Sequence, residues 1–140
     1  MTQLFLTPYL NFNGNTKEAL EFYHQVLGGE LKLQTFGETP GMPVPPGYED
    51  KIIHGHLQTD DLVIMASEGR PGEQVSFGDN VHLSLQGADE AKLSGIFNSL
   101  SEGGNVTMPL AKQFWGDTFG SFTDKFGVHW QVNIVKGQPS

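Results

Sequence analysis

The sequence predicts an α+β fold built from tandem βαβββ modules, each a curved mixed sheet covered on one side by a single helix. Three observations predict it. Apolar and polar residues alternate at a period of two in several short runs, as half-buried strands require. Two stretches with helical spacing each end in a glycine pair, at 28–29 and 103–104. The order strand, helix, strand, strand, strand then runs through the chain twice, the mark of an internal repeat. A chain of 140 residues has the length of one compact domain. The expected organisation is a single domain over 1–140, with a first module at 5–67, a linker at 68–80 and a second module at 81–136.

Residues 6–12 put Leu6, Pro8, Leu10 and Phe12 on one face and Thr7, Tyr9 and Asn11 on the other. Pro8 has no N–H to give, which marks an edge strand. Asn13 and Gly14 turn the chain. Asn15 and Glu18 have the spacing of a capping box, and Ala19, Leu20, Tyr23, Val26 and Leu27 recur at helical intervals until Gly28 and Gly29 stop the helix. Residues 30–36 form a short strand with Leu31, Leu33 and Thr35 on one side. Residues 37–51 carry four prolines and three glycines, a long loop suited to a lid, a dimer contact or a flexible connection. Residues 52–58 return as a strand with His54, His56 and Gln58 on one face. Asp60 and Asp61 make a turn, and the apolar run 62–67 reads as a central strand.

The second copy opens at 81–86, where His82, Ser84 and Gln86 stand opposite Val81, Leu83 and Leu85. Gly87 follows Gly14 by 73 residues. Asp89 is placed to cap a helix whose Leu93, Ile96, Phe97 and Leu100 share a stripe. Residues 106–110 then parallel 31–33, residues 115–124 make the third strand, and 128–135 the fourth. In that last strand Val128, Trp130, Val132 and Ile134 face one way, and His129, Gln131 and Asn133 the other. The offset shrinks to about 65 there, because the second copy lacks the proline-rich loop.

Composition narrows the function. The net charge is −8, with 8 Lys and Arg against 16 Asp and Glu, which repels nucleic acid and anionic lipid alike. No run approaches the roughly 18 apolar residues of a membrane span, and the first ten residues lack a signal-peptide pattern, so a cytoplasmic protein with no membrane partner is expected. The absence of cysteine excludes disulfides, thiolate metal ligands and cysteine nucleophiles. No GxGxxG, P-loop, GxSxG or HExxH spacing supports a nucleotide, serine-hydrolase or zincin reading.

The polar strand faces are the candidate site. Opposite the helices lie Tyr9 and Asn11, His54 and His56, Met65, His82, and Gln131, a lining suited to a small polar or aromatic ligand in a cup between the modules. Phe114, Trp115, Phe119 and Phe122 cluster just before the last strand, where rings can stack on a planar ligand. His54 and His56, two apart on one strand face, could both reach one metal ion.

The segments PYLNFNGN, EFYHQVLGGEL and TDKFGVHWQVNI resemble the vicinal oxygen chelate superfamily, which holds glyoxalase I, the extradiol dioxygenases and the bleomycin and fosfomycin resistance proteins. The run FWGDTFGSFTDKFGVHW is most similar to the PhnB-like subgroup. The resemblance implies a glyoxalase/bleomycin resistance/dioxygenase fold and a homodimer. In metal-using relatives it implies one ligand from the first and one from the last strand of each module. Those places fall here on His82 and Gln131, and on Thr7 or Pro8 and Met65. The expected function is binding of a small-molecule ligand by Tyr9, Asn11, Met65, His82, Trp115, Phe119 and Gln131, with no cofactor. The alternative is a lyase, isomerase or dioxygenase acting on vicinal oxygens through Zn, Ni, Mn or Fe, with His54 or His56 joining His82 and Gln131 as metal ligands.

Overall fold

The computed structural model describes residues 4–41 and 43–136. These fall into two compact units that divide between Ser76 and Phe77. In the first unit the order is β1 (Tyr9–Phe12), α1 (Thr16–Leu27), β2 (Glu30–Thr35), a 3-10 turn at Phe36–Glu38, β3 (Ile52–Gln58) and β4 (Val63–Glu68). The second unit repeats it with β5 (Leu83–Gly87), α2 (Glu90–Ser101), β6 (Asn105–Lys112), β7 (Thr118–Thr123) and β8 (His129–Ile134). The sheets have the orders β1-β4-β3-β2 and β5-β8-β7-β6. In each, the first strand runs parallel to the last and the remaining pairs are antiparallel. The apolar run expected to be central is β4, and the strand with Pro8 at its start lies on an edge. Pro109 sits within β6, an edge strand whose pairing with β7 shifts on both sides of Met108, where a missing N–H is tolerated.

One face of each sheet carries the helix. Ala19, Leu20 and Tyr23 of α1 are fully buried, together with Leu57 of β3 and Ala66 of β4. Leu93, Phe97 and Leu100 of α2 close over Phe122, Trp130 and Val132, with Phe97 edge-on to Phe122 at 5.0 Å between centroids. A glycine lets each helix approach. A Cβ on Gly55 would strike Leu20 Cδ1, and one on Gly120 would stand 2.8 Å from both the Phe97 ring and Leu110 Cα.

The repeat extends to the turns. Between β3 and β4, Thr59 Oγ1 accepts the N–H groups of Asp61 and Leu62. Between β7 and β8, Asp124 Oδ1 accepts those of Phe126 and Val128, while its Oδ2 takes the indole N–H of Trp130 at 2.9 Å. Both residues also pair their own N–H across the turn, with Leu62 O and Val128 O.

Several expectations change. Leu10 and Gly55 flank Ala66 exactly as their counterparts Leu85 and Gly120 flank Val132, so the first strands are offset by 75 residues and Gly87 takes the place of Phe12, not Gly14. Asn15 makes no capping bond, and the start of α1 is held by Glu68 instead, whose Oε1 accepts from Gly14 N and Thr16 Oγ1. Asp89 does cap α2 through Lys92 N. Glu68, expected to open the linker, ends β4 and is buried. Val75 is fastened back to the first unit by two bonds with the Asn13 side chain. The loop after β2 is tied at its base, with Phe36 N and Gly37 N donating to Lys51 O and Glu49 O, and Phe36 packed edge-on to Tyr48; Met42 lies outside the described residues.

Candidate functional site: two open sheet faces

The face of each sheet turned from its helix holds the polar residues. In the first unit the register aligns Tyr9, Met65, His56 and Lys32 in one row across β1, β4, β3 and β2. The next row holds Asn11 beside Ser67, and His54 beside Gln34. The Ser67 hydroxyl donates to Asn11 Oδ1 at 3.2 Å, and the Tyr9 hydroxyl lies 3.4 Å from His54 Nδ1. Tyr9, Asn11, His54, His56 and Met65 are therefore brought together on one face.

In the second unit Ser84, Gln131 and Ser121 share a row, and Gln86, Asn133, Phe119 and Ala111 the next. Gln131 Nε2 donates weakly to Ser84 Oγ at 3.4 Å, and Asn133 Nδ2 donates to Asp117 Oδ2 at 3.0 Å. Trp115 lies in the turn before β7 and not on the strand itself, because Gly116 at φ 104° and bonds between Gln113, Gly116 and Asp117 bend the chain there. Its half-exposed ring stands edge-on to Phe119 at 6.2 Å and to the exposed Phe114 at 4.9 Å.

His82 precedes β5 and is exposed. Its ring stacks on that of His129, 5.2 Å between centroids, and its Nε2–H donates to Asp79 O. His129 Nε2–H donates to Gly78 O at 2.9 Å, and its Nδ1 is hydrogen-bonded with the Thr123 hydroxyl at 2.8 Å. His129 is the residue that selection by sequence missed. Its signal was present in the alternation, which put it on the Gln131 face, but only the pairing of β5 with β8 shows that it lies against His82.

The metal implied by the resemblance finds a poor donor set. The 75-residue offset equates Thr7 with His82, and the strand registers equate Met65 with Gln131. Of these four, one is a thioether, one a hydroxyl and one a neutral amide, which suits a hard or borderline divalent ion badly. Among the described residues no three His, Asp or Glu side chains gather where they could hold an ion. Both ring nitrogens of His129 and one of His82 are already spent on hydrogen bonds.

A family model described as 3-demethylubiquinone-9 3-methyltransferase matches residues 5–133. The chain belongs to this PhnB-like family. Protein YjdN of Escherichia coli K12 is 35% identical to it, covering 96% of this chain and 98% of that protein. Among solved structures, protein PA1353 from Pseudomonas aeruginosa superposes with a TM-score of 0.86 at 41% identity, covering 96% and 99% of the two chains. A Bacillus cereus PhnB protein, titled a putative 3-demethylubiquinone-9 3-methyltransferase, gives 0.78 at 25% identity, covering 94% of this chain and all of that one. At the level of fold alone, the PhnB-like chain is similar to a glyoxalase/bleomycin resistance protein from Albidiferax ferrireducens, with a TM-score of 0.60 at 12% identity over 93% and 98% of the two chains. The fold is thus the glyoxalase/bleomycin resistance fold, and no helix among the described residues is long and apolar enough to cross a membrane.

Proposed function

We propose that this PhnB-like protein binds a small molecule bearing a planar group, and does so without a resident metal. The observation that carries the reading is the aromatic corner of Phe114, Trp115 and Phe119, whose last member shares a row with Asn133 and lies beside the row of Gln131 and Ser84. A ring can stack there while amide and hydroxyl groups select its polar substituents. Trp115, Phe119, His82 and Gln131 are the proposed contacts on this face, and Tyr9, Asn11 and Met65 those on the face of the first sheet. The poor donor set supports the absence of a metal. The methyl transfer in the family's description has no glycine-rich cofactor loop to support it in this sequence.

The two tryptophans make the test simple, since Trp130 is buried and Trp115 is half-exposed. A planar neutral probe such as p-nitroanisole should quench emission saturably, and Trp115→Phe should remove that quenching. Quenching that persists unchanged in Trp115→Phe would overturn the reading. Stoichiometric Zn, Ni, Mn or Fe in protein purified without chelator, lost in His82→Ala, would replace it with the metal-dependent lyase, isomerase or dioxygenase reading. A cytoplasmic location and a homodimer are proposed on composition and resemblance, the second supported by the edge strands β1, β2, β5 and β6. Light scattering on the purified chain tests the dimer.

A further inference from the structure

The two open faces differ in a way that planar-ligand binding does not explain. Lys32 of β2 stands directly opposite His56 of β3, and His54 lies two residues along on the same face. The Tyr9 hydroxyl reaches His54 Nδ1. An ammonium group, two imidazoles and a phenol therefore project from one face of the sheet, with Met65 between Tyr9 and His56 in their row. Lys32 and His56 are directly opposed on neighbouring strands, a spacing of about 4.5–5.5 Å between Cβ atoms, and His54 is diagonal to Lys32 at about 7–8 Å, a span that a single oxyanion can bridge; Tyr9 stands beyond β4 and joins the group only through its hydroxyl at His54. The one carboxylate that the strand register places on this face is Glu30, a row further on beside Gln58. Lys32 forms no ion pair among the described residues.

The repeat shows that the fold does not need these groups. The registers put Ser121 where His56 stands, Phe119 for His54 and Ser84 for Tyr9, and the 75-residue offset puts Thr107 where Lys32 stands, in an irregular stretch of β6 where Ser121 registers with the adjacent Met108. Thr107 Oγ1 and Ser121 Oγ are 2.7 Å apart, so side chains at that pair of positions do meet over the open face. The second copy forms the same sheet with uncharged residues at all four places. In a chain of net charge −8, a cation, the N–H of His56 and the one donor left free by the Tyr9–His54 hydrogen bond, gathered where the scaffold does not require them, call for a ligand of opposite sign.

We propose that the open face of the first sheet, through Lys32, His54, His56 and Tyr9, is a subsite for the oxyanion group of a small organic molecule, a carboxylate, phosphate or phosphonate. The site lies wholly within the first unit. The experiment is a backbone-amide NMR titration of the full chain with phenylphosphonate, benzoate and neutral benzamide. Either anion, or both, should give saturable shifts centred on residues 9, 32, 54 and 56 that benzamide does not give, and the tighter of the two identifies the preferred oxyanion. Lys32→Gln should weaken that binding by roughly tenfold or more, as loss of one charge-assisted hydrogen bond predicts. Lys17→Gln, at an exposed position of α1 on the other side of the sheet, should leave it unchanged. Lys32 is exposed, so its variant should keep the amide dispersion of the parent, and His56→Gln provides a second, independent loss. Equal losses in Lys17→Gln and Lys32→Gln, shifts spread over the surface lysines, equal shifts with benzamide, or no saturation at millimolar anion would each overturn the assignment.

Discussion

Glu68 shows how much order one buried side chain can carry. Its two oxygens accept from Gly14 N, Thr16 Oγ1 and Ile52 N, tying the start of α1 and the start of β3 to the end of β4. Glu68→Ala would leave three donors without this partner in a buried site, at a cost of about 2–4 kcal/mol. Urea unfolding measures it, and a loss within error of zero would mean that water replaces the carboxylate. A second carboxyl, Glu38, predicts a pH effect. It is held below its ordinary value of 4.5 by the Thr35 backbone N–H and, to a lesser degree, by the Thr35 hydroxyl. The folded state thus favours the charged form, so this contribution is present above the unfolded-state value and disappears as pH falls through the folded one. Urea midpoints of Glu38→Gln should lie below those of the parent at neutral pH and converge with them in acid; a gap that stays constant with pH would contradict the assignment. Neither residue was visible as important in the sequence. The Asn15 and Glu18 spacing suggested a local cap for α1, but a carboxylate 52 residues beyond Thr16 took the task, and contacts of that kind leave no local trace.

At the scale of elements, the two glycines beneath the helices should respond unequally to substitution. The Cβ of Gly55→Ala meets the end of a flexible leucine, whereas that of Gly120→Ala meets the Leu110 backbone as well as the Phe97 ring. Overpacking of this kind costs about 1–3 kcal/mol, and Gly120→Ala should lie at the upper end with Gly55→Ala clearly below it. Thermal unfolding of the two variants ranks them, and the reverse order would show that the helix of the second unit shifts more easily than that of the first. Element order was legible because period-two alternation and paired glycines survive in both copies. Register was less so. The match of Gly87 to Gly14 followed turn composition, while hydrogen bonding equates Gly87 with Phe12, and a glycine in a strand looks like a glycine in a turn when only neighbours are seen. Trp115 was drawn into the third strand for a similar reason, since the aromatic run around it has strand propensity although Gly116 breaks it.

For the molecule as a whole, the proposal of ligand binding without a resident metal predicts a direct outcome. Dialysis of the full chain against EDTA should leave its melting temperature and its quenching by a planar probe unchanged, whereas a drop in either, restored by one divalent ion, would install a metal at the centre of the function. The polar faces themselves were legible, because alternation sorts residues between two sides without any knowledge of the fold. What could not be read was which residues meet across strands: His82 with His129, Lys32 with His56, Thr107 with Ser121. Those pairings depend on register, and register depends on the closing of each whole sheet.

Much of what makes the two copies alike lies beside the helices: the glycines at 55 and 120 and the apolar side chains packed around them. Positions 9, 32, 54 and 56 and their counterparts 84, 107, 119 and 121 lie on the other side, where nothing about the scaffold constrains them. They behave as an exchangeable cassette. A lineage that doubled such a unit would have gained a spare surface free to drift toward new chemistry while the original surface kept its task, and the contrast between a basic face and an aromatic one is the record such a division of labour would leave.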